Sequence, residues 1–203
     1  MAKKALLGVK KLAQDKYGAE LKFNTTVSKV DRNSVTTTSG VTFNANHVVV
    51  AAGAYSAELF DDNPTAKRLE VEYYSFKDTS GLPAGIIELS DSGMEYYGVL
   101  DGPNLDHFKM GDFSQRNFKN MLDYFKRRMP SKLDSICHTH PCYFTMVDTG
   151  EFQYKTGNNG VHYAYGFNGT GFKFMPLHGK IVYDGLIKKT DEKYIPLRFR
   201  AKL

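Results

Sequence analysis

Three glycines in six positions, Gly166, Gly169 and Gly171, cut off an alternating run, Val161-His162-Tyr163-Ala164, and are followed by a helical pattern. No other stretch of the chain restricts its fold as strongly. The alternation reads as a strand. Glycines admit the positive φ values of a tight turn and allow the backbone to approach a neighbour closely. The pattern from Phe172 to Ile187 then reads as a helix, so the segment is a strand-turn-helix unit of a layered α/β arrangement. A helix start carries free N–H groups and a positive dipole end, which suits an anionic group. The same glycines would equally serve close strand–helix packing, and spacing alone leaves both open. The order is G-x-x-G-x-G, not the dinucleotide fingerprint G-x-G-x-x-G.

The rest of the chain sorts around this unit. Residues 3–17 are expected to form an amphipathic helix, with Leu6, Leu7, Val9, Leu12 and Ala13 at helical spacing and Gly18 as its stop. Short strands are expected at Glu20–Phe23, Val27–Val30, Ser34–Thr38 and Val41–Phe43, with a hairpin turn at Ser39-Gly40. The wholly apolar Val48–Ala52 reads as a strand from the buried centre of a sheet, and Tyr55–Phe60 as a short helix. Asp61–Thr65 marks a boundary. Beyond it Leu69–Phe76, Gly85–Leu89, Met94–Leu100 and Phe108–Asp112 read as an antiparallel sheet with turns at Gly81, Gly93 and Gly102. A helix over Asn117–Met129, carrying Phe118, Met121, Leu122 and Phe125 on one face, stops at Pro130. Strands return at Ser135–Val147 and Glu151–Tyr154, and residues past about 190 read as a tail. The expected divisions are 1–65, 66–134, 135–190 and 191–203.

With 203 residues the chain can bury a sizeable core. Its net charge of +5 is spread in short pairs such as Lys3-Lys4 and Arg127-Arg128, which argues against a nucleic-acid partner. No apolar run reaches the roughly 18 residues of a membrane span. Two cysteines cannot make a disulfide scaffold. They lie in Cys137-His138-Thr139-His140-Pro141-Cys142, but alternate side chains of a strand face opposite ways, so no metal is expected there.

Four segments carry a resemblance. They are Gly18-Ala19-Glu20 leading to Asn24-Thr25-Thr26-Val27; Val48 through Ser56; Tyr96-Tyr97-Gly98 followed by Lys109-Met110-Gly111; and Cys142-Tyr143-Phe144-Thr145 followed by Gly166 through Phe174. In order and spacing they resemble the C-terminal half of the flavin-dependent amine oxidases of the monomeric sarcosine oxidase and peroxisomal sarcosine/pipecolate oxidase type, within the D-amino-acid oxidase family. The last segment is the most specific. The resemblance implies an α+β or α/β fold: the later part of an FAD-binding Rossmann-like domain with an inserted antiparallel substrate-binding sheet.

It also implies roles. Val27 meets the adenine of FAD through its backbone, and Gly53 lets the chain pass close to the cofactor. Cys142 matches the position that carries flavin through a thioether. Gly169, Thr170 and Gly171 present backbone N–H groups and a helix dipole to the pyrimidine edge of the ring, where negative charge collects on reduction. Lys173, set between Phe172 and Phe174 and so expected to be partly enclosed, matches the lysine that binds the substrate carboxylate. Lys109 matches the lysine that helps oxygen react, and Tyr97 lines the amine site. The expected activity is oxidation of a secondary amino acid to an imine, with oxygen reduced to hydrogen peroxide.

The chain departs from that pattern in places. Phe144 stands where the family has a hydroxylated aromatic, Thr170 where it has histidine, and Val147-Asp148-Thr149 where it has T-P-D. The opening strand, G-x-G-x-x-G and helix do not occur in these residues, nor does the N-terminal arginine that pairs with the substrate carboxylate. The expectation is therefore a chain incapable of turnover alone, either a truncated gene model or one half of a split enzyme completed by a second chain that supplies the FAD-binding half; Val48–Ala52 would then expose apolar edges. The alternative is a non-catalytic paralogue acting as an interaction or regulatory module. The ending Ala201-Lys202-Leu203 resembles the S-K-L address read by the peroxisomal import receptor, which suits a peroxide producer; without it the expected compartment is the cytoplasm.

Overall fold

A computed structural model of the chain describes residues 2–60, 66–90, 93–101, 107–112 and 118–188. In chain order the regular elements are α1 (Ala2–Tyr17), β1 (Val27–Asp31), β2 (Ser34–Thr37), β3 (Thr42–Asn44), β4 (Val49–Val50), β5 (Ala66–Phe76), β6 (Gly85–Ser90), β7 (Gly93–Asp101), β8 (His107–Asp112), α2 (Phe118–Arg128), β9 (Ile136–Val147), β10 (Gln153–Thr156), β11 (His162–Tyr165) and α3 (Met175–Ile181), with 3-10 turns over Gly53–Leu59, Pro130–Ser135 and Gly171–Phe174. The chain divides into two compact units, Met1–Leu69 with Phe144–Leu203, and Glu70–Tyr143. The expected boundary loop Asp61–Thr65, the turn at Gly102, Asn117 and the tail past 190 lie outside the described residues.

The first unit contains two small sheets. One is the antiparallel meander β1-β2-β3, turned at Gly40, whose φ is +84°. The other has the order β10-β11-β4, with β10 and β11 antiparallel and β11 and β4 parallel. Its centre is β11, buried on both faces. Val161, Tyr163 and Tyr165 join Val30, Val48, Val50 and Val147 in the core, while His162 and Ala164 are buried on the opposite side. Phe60 closes this core, its ring centroid 4.9 Å from that of Tyr163 and 4.6 Å from that of Tyr165.

Two expectations change here. Glu20–Phe23 is not a strand: among the described residues it joins no strand ladder, and extended backbone without a ladder gains no regular structure. Val48–Ala52 is not the centre of its sheet. Only Val49–Val50 is regular, it lies at the sheet edge among the described residues, and Val49 is 40% exposed.

The second unit is built on a sheet of order β6-β7-β8-β5-β9, in which the pairs β6-β7, β7-β8 and β8-β5 are antiparallel. Strand alternation sends Phe76, Tyr96, Phe108 and Met110 to one face, where α2 covers them with Tyr124 and Phe125. Phe76, Phe108, Met110 and Phe125 are fully buried, each burial contributing about 1.5–3 kcal/mol. Gly98 is required by this packing, since a Cβ there would stand 2.4 Å from the Phe108 ring. Lys126, Arg127 and Arg128 complement the dipole at the end of α2, and Pro130 stops it. Arg128 and the Tyr124 hydroxyl both donate to Glu88 on β6, at 2.9 and 3.1 Å.

A buried lysine fastens the turn after β5. Lys132 donates from Nζ to the Asp78 carboxylate at 2.7 Å, the Ser80 carbonyl at 2.7 Å and the Ser80 hydroxyl at 3.0 Å. Hydrogen bonds from Lys132 and Ser80 hold the Asp78 carboxyl down at about 2.

Candidate functional site

The glycine turn is left-handed at three positions, Gly166 (φ +69°), Asn168 (φ +48°) and Gly169 (φ +71°). Gly166 admits no side chain on two grounds: its φ, and Val147, whose Cγ1 would stand 2.8 Å from an added Cβ. Asn168 tolerates the left-handed region and is 1% exposed. Its backbone N–H donates to the Thr145 carbonyl at 3.1 Å, and its Oδ1 accepts from the Val147 N–H at 3.2 Å. The turn is thereby sewn to the end of β9. The Thr145 hydroxyl, in turn, donates to the Gly53 carbonyl. One stretch of β9 therefore joins the two backbone segments expected to meet a cofactor, the turn after β4 and the glycine turn.

Two buried side-chain atoms near these joints, Asn168 Nδ2 and Ser56 Oγ, have no hydrogen-bond partner in the described structure. Gly53 has φ +56° with nothing within 4 Å of where its Cβ would stand, and Gly169 is exposed. Both present bare peptide backbone. These residues fit a flat group with hydrogen-bonding edges.

Thr170 is committed inward, its N–H and hydroxyl both donating to the Phe167 carbonyl at 2.8 and 3.0 Å. Its N–H is thus already used within the turn. The expected single helix from Phe172 to Ile187 has three parts: a 3-10 turn over Gly171–Phe174, α3, and a π-turn over Val182–Ile187. A 3-10 start aligns fewer peptide dipoles than an α-helix does, so the dipole contribution is smaller than the sequence implies. Lys173 is exposed on this turn and Phe172 is 51% exposed, so the expected enclosure of Lys173 between two rings is absent. Val27 opens β1 opposite Thr37, half-buried, at an irregularity in the strand pairing.

Behind the turn lies an arrangement the sequence reading missed. His178 stacks on Phe167, centroids 4.2 Å apart and planes at 18°. Its Nε2 is 2.8 Å from the Gly171 carbonyl, and its Nδ1 is bonded to the Tyr154 hydroxyl. Burial pushes the imidazolium of His178 below its usual range, partly offset by the bond to Gly171, and burial pushes the Tyr154 phenol up. The only sequence signal was a histidine on the inner side of a helix seven residues after a turn glycine, which does not name its partner.

In the second unit the face of the sheet opposite α2 carries exposed side chains among the described residues. Val99 pairs with Lys109, and Tyr97 with Gly111, so Tyr97 and Lys109 are diagonal neighbours on that face. Ile87, opposite Tyr97, is 64% exposed, and Val99 is 46% exposed. The strand register thus brings together two of the predicted residues, 12 positions apart in sequence, on one face of the sheet. Cys142 is a free, half-buried thiol on β9, and Cys137 donates to the Ser75 carbonyl at 3.3 Å. Among the described residues no group of three metal-ligating side chains converges, and no helix is long and apolar enough to cross a membrane.

Small sheets tied by a glycine turn in one unit, and a larger sheet carrying a helix in the other, make a mixed α/β protein. The pattern of the FAD dependent oxidoreductase family (DAO) matches residues 2–184, and the chain belongs to that family. It is 26% identical over 200 residues to a monomeric sarcosine oxidase of Streptomyces avermitilis, covering 83% of this chain and 52% of that protein. The fold is similar to that of glycine oxidase from Geobacillus kaustophilus, with a TM-score of 0.67 at 19% identity over 90% of this chain and 53% of that one. It is also similar to the fructosyl amine:oxygen oxidoreductase Amadoriase I of Aspergillus fumigatus, with a TM-score of 0.63 at 14% identity over 79% of this chain and 45% of that one. The chain spans about half the length of the relatives it matches.

Proposed function

We propose that this chain forms the substrate-facing half of an FAD-dependent oxidase of a secondary amino acid, sarcosine- or pipecolate-like. The observation that carries the proposal is the glycine turn fastened by Asn168 and Thr145 to the segment holding Gly53, within a chain of the FAD dependent oxidoreductase family. When bound, FAD supplies the two-electron acceptor that takes a hydride from the carbon beside the amine and passes the electrons to oxygen, giving an imine and hydrogen peroxide.

The chain's own residues divide the remaining work. Val27, Gly53, Gly169 and Gly171 hold the cofactor through their backbone, with Thr170 keeping the turn closed. Cys142 is the point of covalent attachment. Lys173 pairs with the substrate carboxylate, its exposure leaving it free to reach an entering anion. Tyr97 bounds the amine site, and Lys109 supplies a fixed positive charge that stabilises reduced oxygen.

A nucleotide-binding half, on the same polypeptide or on a second one, would complete the cofactor site. The edge of β4, which no further strand covers among the described residues, and the exposed Leu6, Leu7, Val9 and Leu12 of α1 support that completion. Ala201-Lys202-Leu203, outside the described residues, would direct the complex to peroxisomes.

The test is to complete the chain with a nucleotide-binding half and record its visible spectrum. Bound flavin that survives acid precipitation, and is lost from the precipitate in Cys142→Ser, supports the assignment. A colourless complex refutes it. Lys109→Met should slow reoxidation by oxygen about 100-fold or more while leaving reduction by the amine less affected, as expected when one preorganised charge is removed.

A further inference from the structure

The glycine turn is anchored at both ends, and the second anchor belongs to no motif. At Asn168 it is bonded to β9. At Gly171 its carbonyl faces Nε2 of His178 at 2.8 Å, and the other nitrogen of that ring meets the Tyr154 hydroxyl. A carbonyl can only accept, so Nε2 carries the proton. A neutral imidazole then has its lone pair at Nδ1, and the Tyr154 hydroxyl must donate to it. The hydrogen bonds run one way: Tyr154 O–H to Nδ1, then Nε2–H to the carbonyl of Gly171. Rings fix the imidazole as well. Phe167 lies flat against it at 4.2 Å, and Phe152 meets it edge-on at 5.4 Å.

We propose that His178, oriented by Tyr154, is the positioning residue of the glycine turn: by holding the Gly171 carbonyl it presets the backbone that receives the flavin ring. This rests on the flavin reading above. A trans peptide is planar, with its C=O and N–H pointing in opposite directions. Turning the Gly171 carbonyl toward His178 therefore turns the Phe172 N–H away from it. A hydrogen bond accepted at the carbonyl also polarises the peptide and strengthens that N–H as a donor. A turn fixed before its ligand arrives avoids an ordering cost on binding. Gly171 itself is required, because a Cβ there would stand 2.7 Å from Cβ of Phe167, the residue on which His178 stacks.

The experiment uses the isotope-labelled 203-residue chain. Ring nitrogen shifts of His178 should report the Nε2–H form. In His178→Leu the Thr170 amide should exchange about five- to tenfold faster, the equivalent of one lost hydrogen bond. His178→Gln, whose amide can donate to Gly171 and accept from Tyr154, should restore slow exchange, and amides of β6 to β8 should not change in either variant. An Nδ1–H ring, unchanged exchange in the Leu variant, or a Gln variant as fast as Leu would overturn the proposal. Should the Leu variant fail to fold, Tyr154→Phe keeps the ring and removes only the donor to Nδ1. With Nε2 still protonated toward Gly171, the Nδ1 resonance of His178 should shift toward that of a lone pair accepting no hydrogen bond, and an unaltered Nδ1 signal would count against the relay. FAD titrated into the same variants, each completed by a nucleotide-binding half, separates the two ideas. Binding by none of them, wild type included, sinks the flavin reading, whereas equal binding by wild type and His178→Leu sinks the positioning role alone.

Discussion

The two units solve the same problem by different means. The second has a wide sheet with a helix on one face, and its core is a set of interlocked rings: Phe125 meets Phe76 at 4.8 Å and Tyr74 at 5.6 Å, both edge-on. The first has short strands, and its joints are polar and local. Thr145, Asn168 and His178 each hold a backbone group that no strand ladder reaches. One unit is secured by area removed from water, the other in its functional part by single hydrogen bonds. A surface that must present bare backbone to a ligand cannot also bury that backbone under side chains, which accounts for the difference.

The comparison predicts how each unit breaks. Phe125→Ala should cost the second unit about 3–5 kcal/mol by denaturant titration, because a fully buried ring leaves a cavity between sheet and helix; amides of the glycine turn should be unaffected. Asn168→Ala should cost the first unit about 2 kcal/mol, since it strands the Val147 N–H and puts alanine, which tolerates the left-handed region less well than asparagine, at φ +48°. A loss there comparable to that of Phe125→Ala would mean that the turn belongs to a true apolar core.

Acid should weaken the units in different ranges. The Asp78 carboxyl is held at about 2 against an ordinary 3.8, so its contribution is complete above pH 3.8 and is lost as pH falls through about 2. Lys132→Met should remove that acid-dependent loss, read as the difference in denaturation midpoint between pH 5 and pH 2. The smallest effect belongs to His178. Its folded-state value lies below 6.5, so the stability it lends the first unit is complete above pH 6.5 and declines as pH drops toward the folded value. His178→Gln should flatten that decline, and a decline identical in both proteins would place its origin elsewhere.

Much of the architecture was legible in advance because it is punctuated locally. Gly40, Gly81 and Pro130 end or turn elements where expected, and the strands from Gly85 to Asp112 are recovered within a residue or two, apart from stretches outside the described residues. Glu20–Phe23 misled because a β-like run becomes a strand only when another strand accepts its hydrogen bonds. Val48–Ala52 misled in the same way. Its apolar character is real, but the sheet around it sets how much becomes regular and which side is covered.

The sequence by itself determined the periodicities, the turn positions and the residue types that place the chain among the FAD dependent oxidoreductases, because these are properties of neighbours along the backbone. Only the tertiary structure decided that Tyr97 and Lys109 share one face, that Lys173 is exposed, and that His178 reaches back to Gly171 with Tyr154 behind it. Those facts depend on register and on the direction of hydrogen bonds between elements far apart in the chain. A side chain's partner, tautomer and exposure are fixed by what the fold brings opposite it, and no local pattern encodes that.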